Sequence, residues 1–145
     1  MIPDDEIVPR LKPPAVVAAE HAYAPYSRFR VGAAVLTEDG QIYAGCNVEN
    51  ASFGLTQCAE RSALAAAVAD GATPGGVSVL VIYTPGMRAH PPCGACRQVM
   101  HELMSADSVV LSCCDGEDTR RWLHSEYLPE PFVPEALQTV RDLDS

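Results

Sequence analysis

Two short segments, Cys58-Ala59-Glu60 and Pro92-Cys93-Gly94-Ala95-Cys96, constrain this chain more than anything else in it. Strong helix formers follow each: Arg61 to Ala69 after the first, Arg97 to Met104 after the second. Each segment therefore reads as the opening turn of a helix. Gly71 is available to end the first helix in a left-handed cap. Pro92 suits the first turn of the second, where proline is tolerated. Helices that start here aim their positive ends at three thiols, and a helix N-terminus favours thiolate over thiol. Three thiolates with a carboxylate two residues past the first make a donor set for zinc with an acid/base group at its side. The fold must bring both helix starts to one point.

The rest of the chain supplies a sheet on which that can happen. Residues 1–13, interrupted by Pro3, Pro9 and Pro13, read as a loose N-terminal arm, and Pro14 to Tyr23 as a short helix. Val31 to Leu36 and Gln41 to Cys46 form a hairpin about Glu38-Asp39-Gly40, since Asp-Gly suits the positive-φ positions of a tight turn. Asn47 to Gln57 is a polar, irregular connection. The β-branched run Val77 to Tyr83 reads as a strand buried on both faces. Val109 to Leu111 is another strand, Arg121 to Leu123 a short last one, and Ser125 to Leu128 a helical turn stopped by Pro129. Residues 138–145 are a tail. Hairpin, helix, strand, helix, strand predicts one α/β domain: a three-layer α/β/α arrangement with a central mixed sheet of about five strands. Right-handed crossovers would set both site helices on one side of it.

Charge and cysteine usage narrow the chemistry. A net charge of −9 over 145 residues argues against a partner bound through its phosphate backbone. No apolar run approaches the ~20 residues needed to span a bilayer. The acidic, proline-broken start Met1 to Glu6 is no signal peptide. The expectation is a cytoplasmic protein with reduced thiols, its cysteines serving as ligands or core. Cys113-Cys114 would fill a strand end. Cys46 or Cys113 as a fourth ligand would make the metal site structural, whereas Glu60 and Arg61 favour catalysis. Three thiolates outweigh the charge of a dication and blunt its acidity; a guanidinium from Arg61 donating to the sulfurs would restore some of it. A cysteine nucleophile would need a histidine base and leaves Cys93 and Cys96 idle. His124-Ser125-Glu126 lacks a following Pro-Cys-x-x-Cys and reads as a strand end with a helix cap. His21, His90 and His101 likewise read as surface or core filler.

Ligand-x-Glu followed by Pro-Cys-x-x-Cys is the three-cysteine form of the zinc deaminase signature. From Tyr23 to Leu137 the chain resembles the short, homotetrameric cytidine deaminases of the cytidine/deoxycytidylate deaminase superfamily. The resemblance runs through Ala24-Pro25-Tyr26-Ser27-Arg28-Phe29, Gly45-Cys46-Asn47-Val48-Glu49-Asn50-Ala51, Cys58-Ala59-Glu60-Arg61, Pro92-Cys93-Gly94-Ala95-Cys96-Arg97-Gln98 and Leu128-Pro129-Glu130-Pro131-Phe132. It implies the cytidine deaminase fold and one zinc per subunit on Cys58, Cys93 and Cys96. It implies hydrolytic deamination of cytidine and deoxycytidine to uridine and deoxyuridine with release of ammonia, in pyrimidine salvage. Hydroxide generated at the zinc would attack C4, with Glu60 as proton shuttle. Asn47 and Glu49 would bind the ribose hydroxyls, Phe29 the pyrimidine ring, and backbone groups at Ala59 and Pro92 the base edge. Phe132 would reach into a neighbouring subunit's pocket in a homotetramer. The substrate would be a small nucleoside, with no nucleic acid or membrane partner. Departures from the family's usual residues fall at Arg30, Phe53, Gln57 and Val133. Deaminases of nucleoside antibiotics such as blasticidin S share the zinc machinery, but Asn47 with Glu49 and Tyr26 to Phe29 favour a plain nucleoside. A structural zinc domain for protein binding is the alternative from another class.

Overall fold

The β-branched run Val77–Tyr83 forms the middle strand of a five-stranded mixed sheet in the computed structural model, which describes residues 2–138. The elements in chain order are α1 (Asp4–Glu20), β1 (Gly32–Thr37), β2 (Ile42–Cys46), α2 (Ala59–Ala69), β3 (Val77–Tyr83), α3 (Gly94–Leu103), β4 (Met104–Cys113), β5 (Arg120–Leu123) and α4 (His124–Tyr127). A single 3-10 turn, Phe53–Leu55, lies in the connection before α2. The sheet order is β2-β1-β3-β4-β5. β1 runs antiparallel to both β2 and β3, β3 and β4 are parallel, and β5 returns antiparallel to β4. Gly40 takes φ +88° in the β1–β2 turn, where an L side chain would be strained.

Topology explains why the two site helices share a face. β2 and β3 point the same way, as do β3 and β4, so α2 and α3 each cross between parallel strands and advance in the same direction across the sheet. Right-handed crossovers then put both on one side. Ala59, Ala63, Leu64 and Ala67 of α2 and Cys96 and Met100 of α3 pack there against Ala33, Val35, Leu80, Ile82 and Val110. The alternate strand residues Ala34, Leu36, Val79, Val81, Val109 and Leu111 face the other way, against α1. The sheet is covered on both sides, giving α/β/α layers. Small residues at every fourth position of α2 let its backbone lie close on β2, where a Cβ on Gly45 would stand 2.4 Å from Ala63 N.

The N-terminal arm is a correction. Residues 4–20 are one helix carrying Pro9, Pro13 and Pro14 in its interior, not a loose segment followed by a short helix. Ile7, Leu11, Ala15 and Ala19, spaced by four, are all buried against the sheet. Pro9 and Pro13 lie about half a turn round from that stripe and are exposed, so water can satisfy the carbonyls they free. Asp4, Asp5 and Glu6 sit in the first turn, where their charge suits the helix dipole. At the other end Arg30 Nη1 donates to Glu20 O at 2.8 Å, a helix-end contact made by one of the departing residues. Of the expected tail, Gln138 closes a helical turn by donating to Pro134 O. Residues 139–145 lie outside the described residues.

Candidate active site

Cys58 is the N-cap of α2 and Cys93 the N-cap of α3, so both thiols stand at helix starts as the sequence predicts. Pro92 falls one residue ahead of the cap rather than within the first turn. Cys93 Sγ accepts from Cys96 N at 3.4 Å, the usual N-cap bond with sulfur in place of oxygen. The ligand atoms of Cys58, Glu60, Cys93 and Cys96 all lie within 4.8 Å of one another. Sγ of Cys93 is 3.9 Å from that of Cys58 and 3.2 Å from that of Cys96. This is the one such cluster among the described residues, and it includes neither Cys46 nor Cys113. Cys113 Sγ instead donates to Ile82 O at the buried end of β4.

The protein fixes the charge of this cluster from behind. Arg61 Nη2 bridges Thr56 O and Cys58 Sγ, both at 3.4 Å. A thiol hydrogen bond from Cys96, then the contact and charge of Arg61, pull the Cys58 thiol down to about 5. Cys96, donating to Cys58 and buried, is pushed up. Burial pushes the Glu60 carboxyl up, and the neighbouring Cys58 charge adds to the effect. Glu60 is 5% exposed, so a proton on it is shielded from bulk water while the group still reaches the cluster. Arg97 clamps the approach to Cys93, with Nε donating to Pro92 O at 3.0 Å and Nη1 to Tyr127 O at 3.1 Å.

A cavity of about 290 Å³ opens onto the cluster. Its walls include Phe29, Asn47, Glu49, Cys58, Ala59, Glu60, Ile82, His90 and Cys93. Asn47 and Glu49, in the irregular segment after β2, also fasten the neighbouring 26–31 segment. Asn47 Oδ1 accepts from Val31 N at 2.9 Å, and its Nδ2 donates to Phe29 O at 2.8 Å. Glu49 accepts from the backbone N–H groups of Tyr26 at 2.9 Å and Ser27 at 3.1 Å, and from the Ser27 hydroxyl. Those bonds, the Ser27 hydroxyl's first, hold the Glu49 carboxyl below its ordinary value. The two side chains thus shape the Phe29 loop as well as facing the cavity.

Phe132 does not line the cavity of its own chain. It is 62% exposed, and its segment is clasped by Gln98, whose Nε2 donates to Phe132 O at 2.7 Å while Oε1 accepts from Phe132 N at 3.2 Å. Phe53 packs edge-on to Tyr26 with ring centroids 5.6 Å apart, lining a separate pocket that shares Ser27, Glu49 and Thr56 with the cavity.

The model of the cytidine and deoxycytidylate deaminase zinc-binding region matches residues 9–113. The chain belongs to this deaminase family. It is 49% identical over 122 residues to a cytidine deaminase of Halalkalibacterium halodurans, covering 83% of this chain and 90% of that one. To a cytidine deaminase of Sporosarcina psychrophila it is 43% identical over 120 residues, 83% of this chain and 87% of the other. The 1.6 Å crystal structure of a Burkholderia pseudomallei cytidine deaminase superposes with TM-score 0.81 at 42% identity, over 90% of this chain and 100% of that one.

In this deaminase the cavity wall also takes in His90 and Ser27, to which the sequence assigns no role. His90 has no partner spacing in the sequence and reads there as filler, yet it lines the cavity and meets Phe29 edge to face, ring centroids 6.0 Å apart and planes at 82°. Ser27 supplies a hydroxyl to Glu49 and accepts from Phe29 N at 3.1 Å. Neither has a signal in spacing that would mark it. His124-Ser125-Glu126 is the strand end and helix cap expected: Glu126 accepts from Leu123 N at 2.7 Å.

Proposed function

We propose that this protein is a zinc-dependent hydrolase that deaminates cytidine and deoxycytidine, with Glu60 as the proton carrier. The observation that carries the reading is one buried carboxylate beside three thiols at two helix N-termini, with Cys58, Glu60 and Cys93 lining a cavity of nucleoside size. The donor set suits zinc: soft ligands, one carboxylate held beside them, and a guanidinium on the sulfur of Cys58. Cys58, Cys93 and Cys96 would hold the ion. When bound, zinc supplies positive charge at the cavity floor and acidifies a water towards a pKa of ~7. Glu60 takes a proton from the attacking water on one carboxylate oxygen. It hands that proton to N3 of the pyrimidine, then takes the second proton of the added water and delivers it to the amine as the C4–N bond breaks. Arg61 offsets the excess negative charge of the thiolates, and burial keeps exchange with bulk water from short-circuiting Glu60. A cavity beside the ligands and the lack of a fourth thiol in the cluster favour this over a structural zinc domain.

Phe29 offers its ring to the pyrimidine, Ala59 its backbone to the base edge, and Asn47 and Glu49 their remaining hydrogen-bonding capacity to the ribose hydroxyls. Phe132 serves a neighbouring subunit of a homotetramer. Exposed Phe53 and Leu55, at 73% and 70%, lie beside the cavity with Tyr26 and give a second copy an apolar surface to cover. No described helix is long and apolar enough to cross a membrane, and the place of action fitting a salvage role is the cytoplasm.

The test is a spectrophotometric assay of the zinc-loaded protein with cytidine, deoxycytidine and CMP, run beside Glu60→Ala. Turnover of the nucleosides, with a loss of roughly 10²–10⁴ in the variant at unchanged zinc content, is the expected result. Wild-type turnover by Glu60→Ala would remove Glu60 from its role. Sedimentation with Phe132→Ala tests the shared site: the variant should remain an oligomer but lose kcat/KM.

A further inference from the structure

The loop between β3 and α3, residues 84–93, forms part of the cavity and delivers Cys93, but its conformation is set from outside. Two carboxylates on the turn after β4 hold it. Asp115 accepts from Gly86 N at 2.7 Å and from the Tyr83 hydroxyl, while its own N–H donates to Gly86 O at 2.8 Å. Asp118 Oδ2 accepts from Ala89 N at 2.8 Å, and its carbonyl receives the buried Cys114 thiol at 3.5 Å. Ala89 is buried, and the next residue is His90, whose exposed ring faces Phe29 across the cavity mouth. A peptide held at position 89 leaves His90 little freedom to swing from Phe29. Without that bond the ring edge would leave the wall, and the loop would have to be ordered anew on each binding event.

We infer that Asp118 is a positioning residue for substrate binding, acting through Ala89 N–H to hold His90 against Phe29 as one wall of the nucleoside cavity. This rests on the reading that the cavity takes a nucleoside with Phe29 on its ring. His90 touches the bound nucleoside; Asp118 does not.

Steady-state kinetics on the zinc-loaded oligomer test it with cytidine. Asp118→Ala should raise KM about fivefold, the worth of one such hydrogen bond, with kcat near wild type. Asp118→Asn keeps an acceptor oxygen and should recover most of the loss. His90→Ala, at an exposed position, should raise KM similarly, and Asp118→Ala should add little in the His90→Ala background. A merely structural Asp118 would lower Tm and leave KM alone, and that result overturns the proposal. So do additive effects of the two changes, or an unchanged KM in His90→Ala. If Asp118→Ala fails to fold, Asp118→Asn and His90→Ala still decide. Phe29→Ala separates the underlying reading: an unchanged KM there refutes ring binding by Phe29, and the proposal with it. A raised KM there with wild-type KM in Asp118→Ala refutes the positioning role alone.

Discussion

Replacing Gly45 by alanine should damage stability and catalysis together, because β2 and α2 touch backbone to backbone there. The added Cβ would lie 2.4 Å from Ala63 N and 2.8 Å from both Ser62 C and Ser62 Cβ. Carbon atoms rest about 3.5–4 Å apart, so the helix must retreat by about 1 Å. A flexible side chain could swing aside at little cost, but the opposing atoms are mostly main chain. Overpacking of this kind costs about 1–3 kcal/mol. For a domain of this size each kcal/mol lowers Tm by about 2–4 °C, so the fall is roughly 2–12 °C. The retreat also shifts Cys58 and Glu60, at the start of α2, relative to Cys93 and Cys96 at the start of α3. A displacement near 1 Å at reacting groups can cost ~10²-fold in rate. Thermal unfolding, zinc content and kcat per bound zinc should be measured on Gly45→Ala, with Gly54→Ala as control, since nothing lies within 4 Å of a Cβ at 54. Wild-type Tm in Gly45→Ala would refute the close contact. A lowered Tm with wild-type kcat per zinc would refute the mechanical link between β2 and the site.

Other outcomes follow from single contacts. Arg61→Gln removes the charge on Cys58 Sγ and should weaken zinc binding about 10–100-fold in competition with a chromophoric chelator; unchanged affinity would assign Arg61 to packing. Zinc removal by a chelator should free Cys58 and Cys93, while Cys96 stays buried, so a thiol-titrating disulfide reagent should count two more fast thiols than in the loaded protein. A constant count would show that these sulfurs hold no metal. Tyr83, hydrogen-bonded to Asp115 and buried, has its hydroxyl pushed up to about 12. Its folded value lies above its unfolded one, so its contribution is complete below pH ~10 and lost as pH rises through about 12. Denaturant unfolding at high pH should show a shallower decline for Tyr83→Phe than for wild type over that interval; parallel declines would mean the bond adds nothing.

Local chemistry was legible in the sequence. Cys58, Glu60, Cys93 and Cys96 could be grouped because ligand spacing and helix-start preferences are properties of neighbouring residues, and topology then leaves two right-handed crossovers little choice of side. Asp39-Gly40 and the β-branched Val77–Tyr83 run were readable for the same reason. Proline misled at the N-terminus, since local propensity outweighed the four-residue spacing of Ile7, Leu11, Ala15 and Ala19, whose worth depends on a sheet to bury them. Only the tertiary structure could decide that His90 faces Phe29, that Glu49 holds the Tyr26–Ser27 backbone, and that Asp118 reaches Ala89. Those pairings join residues distant in sequence with no periodicity between them. Sequence determined which groups could do the chemistry. The packing of α1, α2 and α3 on one sheet decided where they stand and which residues hold them there.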